Sequence, residues 1–159
     1  MFVDTQTELS DAQAVTSTAI SSNVIDLQAA LGGGTNIAGG NTLLDIGQGE
    51  DIYLVVQTVV TATDTGSDAT LTVTLESATD AGLTSGAVVH AATSALAFAT
   101  FSVAGAQLLV AKLPVADYKR YLGVRYTVAS GPLTAGAFDA FLTKDIQRAK
   151  IYKSAFTVQ

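Results

Sequence analysis

Apolar and polar positions alternate most clearly between residues 120 and 142. Along Tyr121–Val128 the even-numbered positions are all apolar and fall on one face, while the odd-numbered face carries Gly123, Arg125 and Thr127. This period of two is typical of a strand that is buried on one side. The sequence Ala-Ser-Gly-Pro at 129–132 interrupts the run, and a second alternating segment follows at Gly136–Thr143. We predict a β-hairpin here, at the core of an all-β domain.

Shorter apolar runs elsewhere in the chain, separated by turn residues, predict further strands. The predicted strands lie at residues 23–27, 52–60, 70–76, 87–92, 97–103 and 107–113. Residues 52–60 are apolar at both odd and even positions, which indicates a central strand that is covered on both faces. With the hairpin, these segments make about eight short antiparallel strands, a number typical of a β-sandwich or jelly roll.

The two ends of the chain differ from this middle part and suggest three regions. Residues 1–20 are mostly small and polar, and we predict an N-terminal arm with one helical turn at Ser10–Ala14. Residues 21–143 form the predicted jelly-roll domain, which includes a glycine-rich loop at Leu31–Asn41. Residues 144–159 mix basic and apolar side chains, and we predict a C-terminal tail that docks on this chain or on another one.

The composition indicates a protein that shares its surface with partners. Charged residues make up 14% of the chain, against about 25% in a typical soluble domain. Cysteine is absent, so no disulfide framework or thiolate chemistry is expected. The uncharged stretch Ala81–Ala111 is interrupted by Gly, Ser and Thr, so we predict no transmembrane helix, and the N-terminus shows no secretory signal.

Acidic and basic residues are segregated along the chain. Residues 1–111 contain 11 of the 14 acids and no Lys or Arg, whereas residues 112–159 contain all 8 bases. One interpretation is that basic strands lie beside acidic strands within the same sheet. The other is that the basic tail contacts an acidic surface on a neighbouring subunit or partner.

No motif in the sequence predicts a catalytic or cofactor site. The glycine-rich loop lacks the Lys of a phosphate-binding loop, and no G-x-S-x-G motif is present. His90 has no second His or Cys with which to share a metal, so we interpret it as a structural or surface histidine. Two groups of turn acids, Asp45/Glu50/Asp51 and Asp64/Asp68, could in principle hold Ca²⁺ but lack a recognised spacing. A pI of 4.4 argues against nucleic-acid binding.

Several of these segments together resemble a family of capsid cement, or decoration, proteins of tailed double-stranded DNA bacteriophages. The resemblance rests on the predicted hairpin and on four shorter segments. These are residues 1–4 (MFVD), 10–13 (SDAQ), 23–27 (NVIDL) and 45–56, which begins DIGQGE and ends YLVV. The resemblance extends from Met1 to about Thr143 and fades in the tail.

The resemblance implies a structural virion protein, not an enzyme, on the outer surface of the capsid. Such proteins form jelly-roll homotrimers at local threefold positions and clamp neighbouring major capsid subunits, with no cofactor, nucleic acid or membrane. From composition we expect the arm and the tail to make the contacts. The expected contact residues are Phe2, Val3, Asp4, Glu8, Arg148, Lys150, Tyr152, Lys153 and Phe156. The alternative is a receptor- or carbohydrate-binding β-sandwich module of a virion or cell surface.

Overall fold

The computed structural model describes residues 4–28, 46, 49–144 and 146. These residues form ten short strands and two single helical turns. The strands are β1 (Glu8–Ala14), β2 (Ala19–Ile20), β3 (Ile25–Asp26), β4 (Tyr53–Thr63), β5 (Thr70–Ala78), β6 (Val88–Ala92), β7 (Leu96–Ala97), β8 (Gln107–Lys112), β9 (Tyr121–Ala129) and β10 (Ala135–Thr143). A 3₁₀ turn at Thr5–Thr7 precedes β1, and the helical turn α1 at Phe98–Phe101 follows β7.

The strands form two antiparallel sheets packed face to face. One sheet has the order β1-β10-β4-β8, and the other has the order β2-β9-β5-β6, with β3 also on β9 and β7 also on β5. β2 and β3 both pair with β9, and β6 and β7 both pair with β5. The ten strands therefore occupy eight strand positions, four in each sheet. Two facing four-strand layers with this order form a jelly roll. The predicted all-β, jelly-roll-like sandwich is therefore confirmed.

The predicted hairpin at residues 120–142 is wrong in its pairing, although both of its strands exist. β9 lies in one sheet and β10 in the other. The connection between them crosses the sandwich, and the backbone N–H groups of Leu133 and Thr134 donate to Thr16 and Thr63. A linker of five residues is long enough to span the roughly 10 Å between packed sheets. The alternation along each strand correctly predicts its buried face but cannot reveal which sheet the strand joins.

Two other local predictions are also wrong. Residues 10–14 form the end of edge strand β1 instead of a helical turn, and the Ser10 hydroxyl is buried, where it bonds Gln13 and Tyr126. Part of the predicted arm thus belongs to the sandwich. In the predicted strand at residues 97–103 only Ala97 belongs to a strand, β7, and residues 98–101 form α1. Phe101 turns into the core from this helical turn, and its carbonyl accepts a 2.6 Å hydrogen bond from the Thr58 hydroxyl.

The inner faces of the two sheets enclose a single hydrophobic core. Its centre is the stacked pair Tyr126 and Phe138, one from each sheet, with ring centroids 5.4 Å apart. On β4, Leu54 and Val56 are fully buried in this core, and the outward-facing Val55 is also only 2% exposed. The prediction that this strand is covered on both faces is therefore confirmed for its middle part, Leu54–Val56, whereas Val60 is 51% exposed. Within the described ranges, no helix reaches the length and apolarity that crossing a membrane requires.

Candidate interaction surface

Most of the charged side chains that the structure describes gather at one end of the sandwich, which we call the charged end. The pairing of Tyr53 with both Lys112 and Thr143 aligns the start of β4 with the ends of β8 and β10. The start of β1 reaches the same level, since Glu8 lies opposite Phe141. The opposite end carries the β1–β2, β4–β5 and β9–β10 connections, which contain Ser, Thr, Gly and acids but no base.

Ion pairs at and near the charged end join acids from residues 1–111 to bases that follow residue 111 in the sequence. Lys112 lies 2.5 Å from Asp51, Arg120 lies 2.8 Å from Asp26 and Arg125 lies 2.9 Å from Glu76, and Lys144 contacts Glu50. The hydrogen bonds from Lys112 and Arg120 to their carboxylate partners raise the pKa of each base. In the described part of the chain, the first interpretation of the charge segregation is thus confirmed.

The most enclosed of these pairs fixes a loop to the outer face of the six-stranded sheet. Glu76 is only 5% exposed and accepts two hydrogen bonds from the Nε of Arg125. A terminal nitrogen of the same guanidinium donates to the carbonyl of Leu83 at 2.7 Å. Leu83 is buried against Gly123, and a Cβ atom added to residue 123 would lie 2.9 Å from a methyl carbon of Leu83. The absence of a side chain at residue 123 therefore makes room for the loop.

The structure describes two of the nine predicted contact residues. The carboxylate of Asp4 accepts a 2.9 Å hydrogen bond from the Gln6 amide and caps the 3₁₀ turn. Glu8 is the half-buried first residue of β1, beside β10. The predicted contact residues outside the described residues are Phe2, Val3, Arg148, Lys150, Tyr152, Lys153 and Phe156. The described start of the predicted arm, residues 4–8, and the first residue of the predicted tail, Lys144, thus lie beside neighbouring strands at the same end of the sandwich.

Three of the five turn acids that were considered for Ca²⁺ have other partners in the structure. Glu50 and Asp51 pair with lysines, as described above, and Asp45 lies outside the described residues. One carboxylate oxygen of Asp64 accepts backbone hydrogen bonds from Asp68 and Ala69, each at 3.1 Å. Across the residues that the structure describes, no group of three or more His, Cys, Asp or Glu side chains could hold a metal ion.

Exposed apolar side chains occur on edge strand β6, a feature that the sequence analysis did not single out. Val88 is 40% exposed and Val89 53% exposed on this strand. An exposed apolar edge can pair with a strand from another molecule, but bulges and interruptions prevent such pairing. The strands β1, β6 and β8 each show a register shift, and the fourth edge is divided into β2 and β3. Strand addition is therefore disfavoured at each described edge.

Fold and surface together define a jelly-roll protein whose described polar residues mainly pair charges and anchor loops. The chain belongs to the Bbp16 family, because the Bbp16 family model matches residues 9–142. The matched span begins at the buried Leu9 in β1 and ends at Leu142 in β10, so it covers the sandwich except for the first residue of β1 and the last residue of β10. No curated protein matches the chain.

Proposed function

We propose that this protein is a structural virion protein that binds the outer surface of a tailed-phage capsid as a homotrimer. In this role it stabilises the shell by clamping neighbouring major capsid subunits at local threefold positions. The charged end faces the shell, and the contacts are made by residues 1–8 of the predicted arm and by the tail, whereas residues 9–20 belong to the sandwich. The sequence resemblance to capsid cement proteins supports this role, and a jelly-roll body with a low charged fraction of 14% is compatible with it.

The observation that carries the proposal is that the described residues next to the two ends of the chain, Glu8 and Lys144, lie at the same end of the sandwich. Glu8 at the start of β1 lies opposite Phe141, three residues before Lys144, so the arm and tail continue from adjacent strands. Two segments that begin side by side can contact the same partner surface. Segments that left from opposite ends of the sandwich could not both reach one shell without wrapping around the domain.

The charges of the body support a role for the tail. All five bases in the described part of the chain contact an acid or, in the case of Lys119, the carbonyl of Gly86. The remaining bases are Arg148, Lys150 and Lys153, which all belong to the tail. An acidic patch on a capsid subunit or on a neighbouring copy would therefore be recognised mainly by these three residues, which set orientation and association rate.

Trimer formation would convert weak contacts into firm attachment. Three linked contacts can raise the overall affinity by a factor of roughly 10² to 10⁴ over a single one. Because such a trimer binds only the assembled shell, its binding free energy stabilises that state by mass action. No single strong binding site is needed.

The test combines light scattering with sedimentation of the protein on purified capsids. We expect a particle of about three times 16.2 kDa that sediments with capsids. The triple substitution R148Q/K150Q/K153Q should weaken capsid binding at least about tenfold, since it removes three positive charges. The control S17E/T61E/T65E lowers the net charge equally but at the opposite end, and it should bind normally.

Other outcomes would each reject part of the proposal. A dimer or monomer would contradict the trimer, and equal binding by both variants would contradict the role of the tail. A protein that ignores capsids but binds glycans would replace the proposal with the carbohydrate-binding module.

A further inference from the structure

His90, the only histidine of the chain, joins three separate parts of the structure. It lies on β6 at the bulge between the pairs Leu75–Ala91 and Glu76–Val89. Its Nε2 atom is 2.7 Å from the hydroxyl oxygen of Ser77 on β5. Its ring also lies on Tyr118, with centroids 4.2 Å apart, and Tyr118 belongs to the connection between β8 and β9.

The hydrogen bonds of Ser77 determine which protonation state of His90 fits the site. Ser77 is fully buried, and its oxygen accepts a 2.9 Å hydrogen bond from the backbone N–H of Lys119. Within the described part of the chain, His90 Nε2 is the only acceptor in reach of the hydroxyl proton. Ser77 therefore donates to a neutral imidazole. If His90 were protonated, Nε2 would become a donor, and the Ser77 proton would be left buried without an acceptor.

The described acids on the elements around His90 are Glu76, Asp80 and Asp117, and no ion pair or hydrogen bond between described residues joins any of them to His90. The rest of β6 is uncharged, and the carboxylate of Glu76 is occupied by Arg125. On the β8–β9 connection, the ring of Tyr118 is neutral and its hydroxyl donates to the carbonyl of Pro114, while the Lys119 ammonium contacts Gly86. Desolvation lowers the pKa of His90 below its ordinary value of 6.5.

We propose that the His90–Ser77–Lys119 hydrogen-bond chain is a pH-sensitive latch that holds the β8–β9 connection, residues 113–120, against the six-stranded sheet. The latch is closed when His90 is neutral and opens when His90 takes up a proton. The connection leads from Lys112 to Arg120 and contributes Leu113 and Tyr118 to the edge of the core, so opening loosens the charged end, whereas the central pair of Tyr126 and Phe138 lies on other strands. This inference does not depend on the proposed capsid role.

The sign of the pH effect follows from the proton affinities of the two states. The open state has the ordinary pKa and binds a proton more readily than the closed state, so the latch loses stability as the pH falls below about 6.5. At pH 5.5 the ratio of protonated to neutral His90 in the open state is about ten. The open fraction should therefore rise by up to about tenfold between pH 7.5 and 5.5.

Amide hydrogen exchange of the full chain, followed by NMR, tests the latch. The reporter is the Lys119 amide, and the matched control is the Val124 amide, which donates to Ser21 Oγ at 3.0 Å without a histidine nearby. After correction for the intrinsic pH dependence of exchange, Lys119 protection should fall by up to about tenfold, while Val124 protection stays constant. In His90→Gln the Lys119 protection should not change with pH.

A second measurement on the unmodified protein keeps the inference testable even where His90→Gln fails to fold. The imidazole resonances of His90 report its protonation directly, and their midpoint should lie below pH 6.5, at the lower end of the pH range over which Lys119 loses protection. The latch is rejected when both amides lose protection in parallel. It is also rejected when His90 titrates at or above pH 6.5 while Lys119 stays protected.

Discussion

The contact between Tyr126 and Phe138 offers a direct test of the crossing between β9 and β10. The two rings come from opposite sheets, stack at 5.4 Å with an interplanar angle of 23°, and are both fully buried. A stacked aromatic pair contributes about 0.5–1.5 kcal/mol beyond the area it buries. A double-mutant cycle of Tyr126→Leu and Phe138→Leu should therefore show a coupling free energy of that size, while each single change destabilises by about 1–3 kcal/mol.

The assay is urea unfolding at one fixed protein concentration, with equal m-values as a condition for comparing the variants. Tyr126→Leu also removes the 3.0 Å hydrogen bond to Ser10, but this loss occurs with either Phe or Leu at position 138 and therefore cancels in the cycle. A control cycle of Phe138→Leu with Tyr118→Leu should show no coupling, because Tyr118 stacks on His90 instead. A coupling below about 0.3 kcal/mol for the main pair would lie within the error of additivity and would refute the stacking across the sheets.

Three further predictions concern single residues. Glu76→Gln should destabilise the fold by about 2–3 kcal/mol in urea unfolding, because it leaves the Arg125 guanidinium without its enclosed carboxylate partner. The control Glu50→Gln, at a side chain that is 74% exposed, should change the stability by less than about 0.5 kcal/mol. Gly136→Ala should cost about 2–3 kcal/mol in the same assay, since φ is +147° and the new Cβ would lie 2.9 Å from the Cβ of Ala62; a loss below about 0.5 kcal/mol would contradict this geometry. Burial raises the pKa of Tyr126 to about 12, so the unfolded chain loses this proton first and stability should fall between pH 10 and 12; Tyr126→Phe should remove that part of the alkaline transition, and an unchanged profile would argue against it.

The alternation of residue types predicts most strands and their buried faces, but it does not predict their partners. Residues 70–76 and 107–113 correspond closely to β5 and β8, and the apolar positions of β9 and β10 face the core as expected. Whether two successive strands form a hairpin or cross to the other sheet depends on tertiary packing. The connection 130–134 carries ordinary turn residues in either case, so local signals could not distinguish the two.

Edge elements are the other part that the sequence pattern misses. β1 contains Ser10, Asp11 and Gln13, whose side chains suit a helix cap or a loop, yet pairing with β10 makes this segment a strand. α1 is a single turn, too short for a helical period to be visible, and Phe101 reaches the core from it. In both cases the tertiary contacts outweigh a weak local preference.

The positions of the charged pairs follow from the jelly-roll topology. The late strands β9 and β10 each insert between early strands, β9 between β2 and β5 and β10 between β1 and β4, while β8 lies beside β4. A base on or beside β8, β9 or β10 therefore has only strands from the first half of the chain as neighbours, and the acids of this chain lie mostly on those strands and their connections. Segregation along the sequence thus becomes pairing in space, as in Arg120 with Asp26, 94 positions apart.

The same topology has a consequence for folding. Neither sheet is continuous until β9 and β10 are in place, because without them β1 has no partner strand and β2 has no link to β5. Contacts of such large sequence separation require loop closure before they yield stability, and folding is correspondingly slow. Complementary charges on the early and late parts of the chain favour the pairings that complete the sheets over pairings between early strands alone.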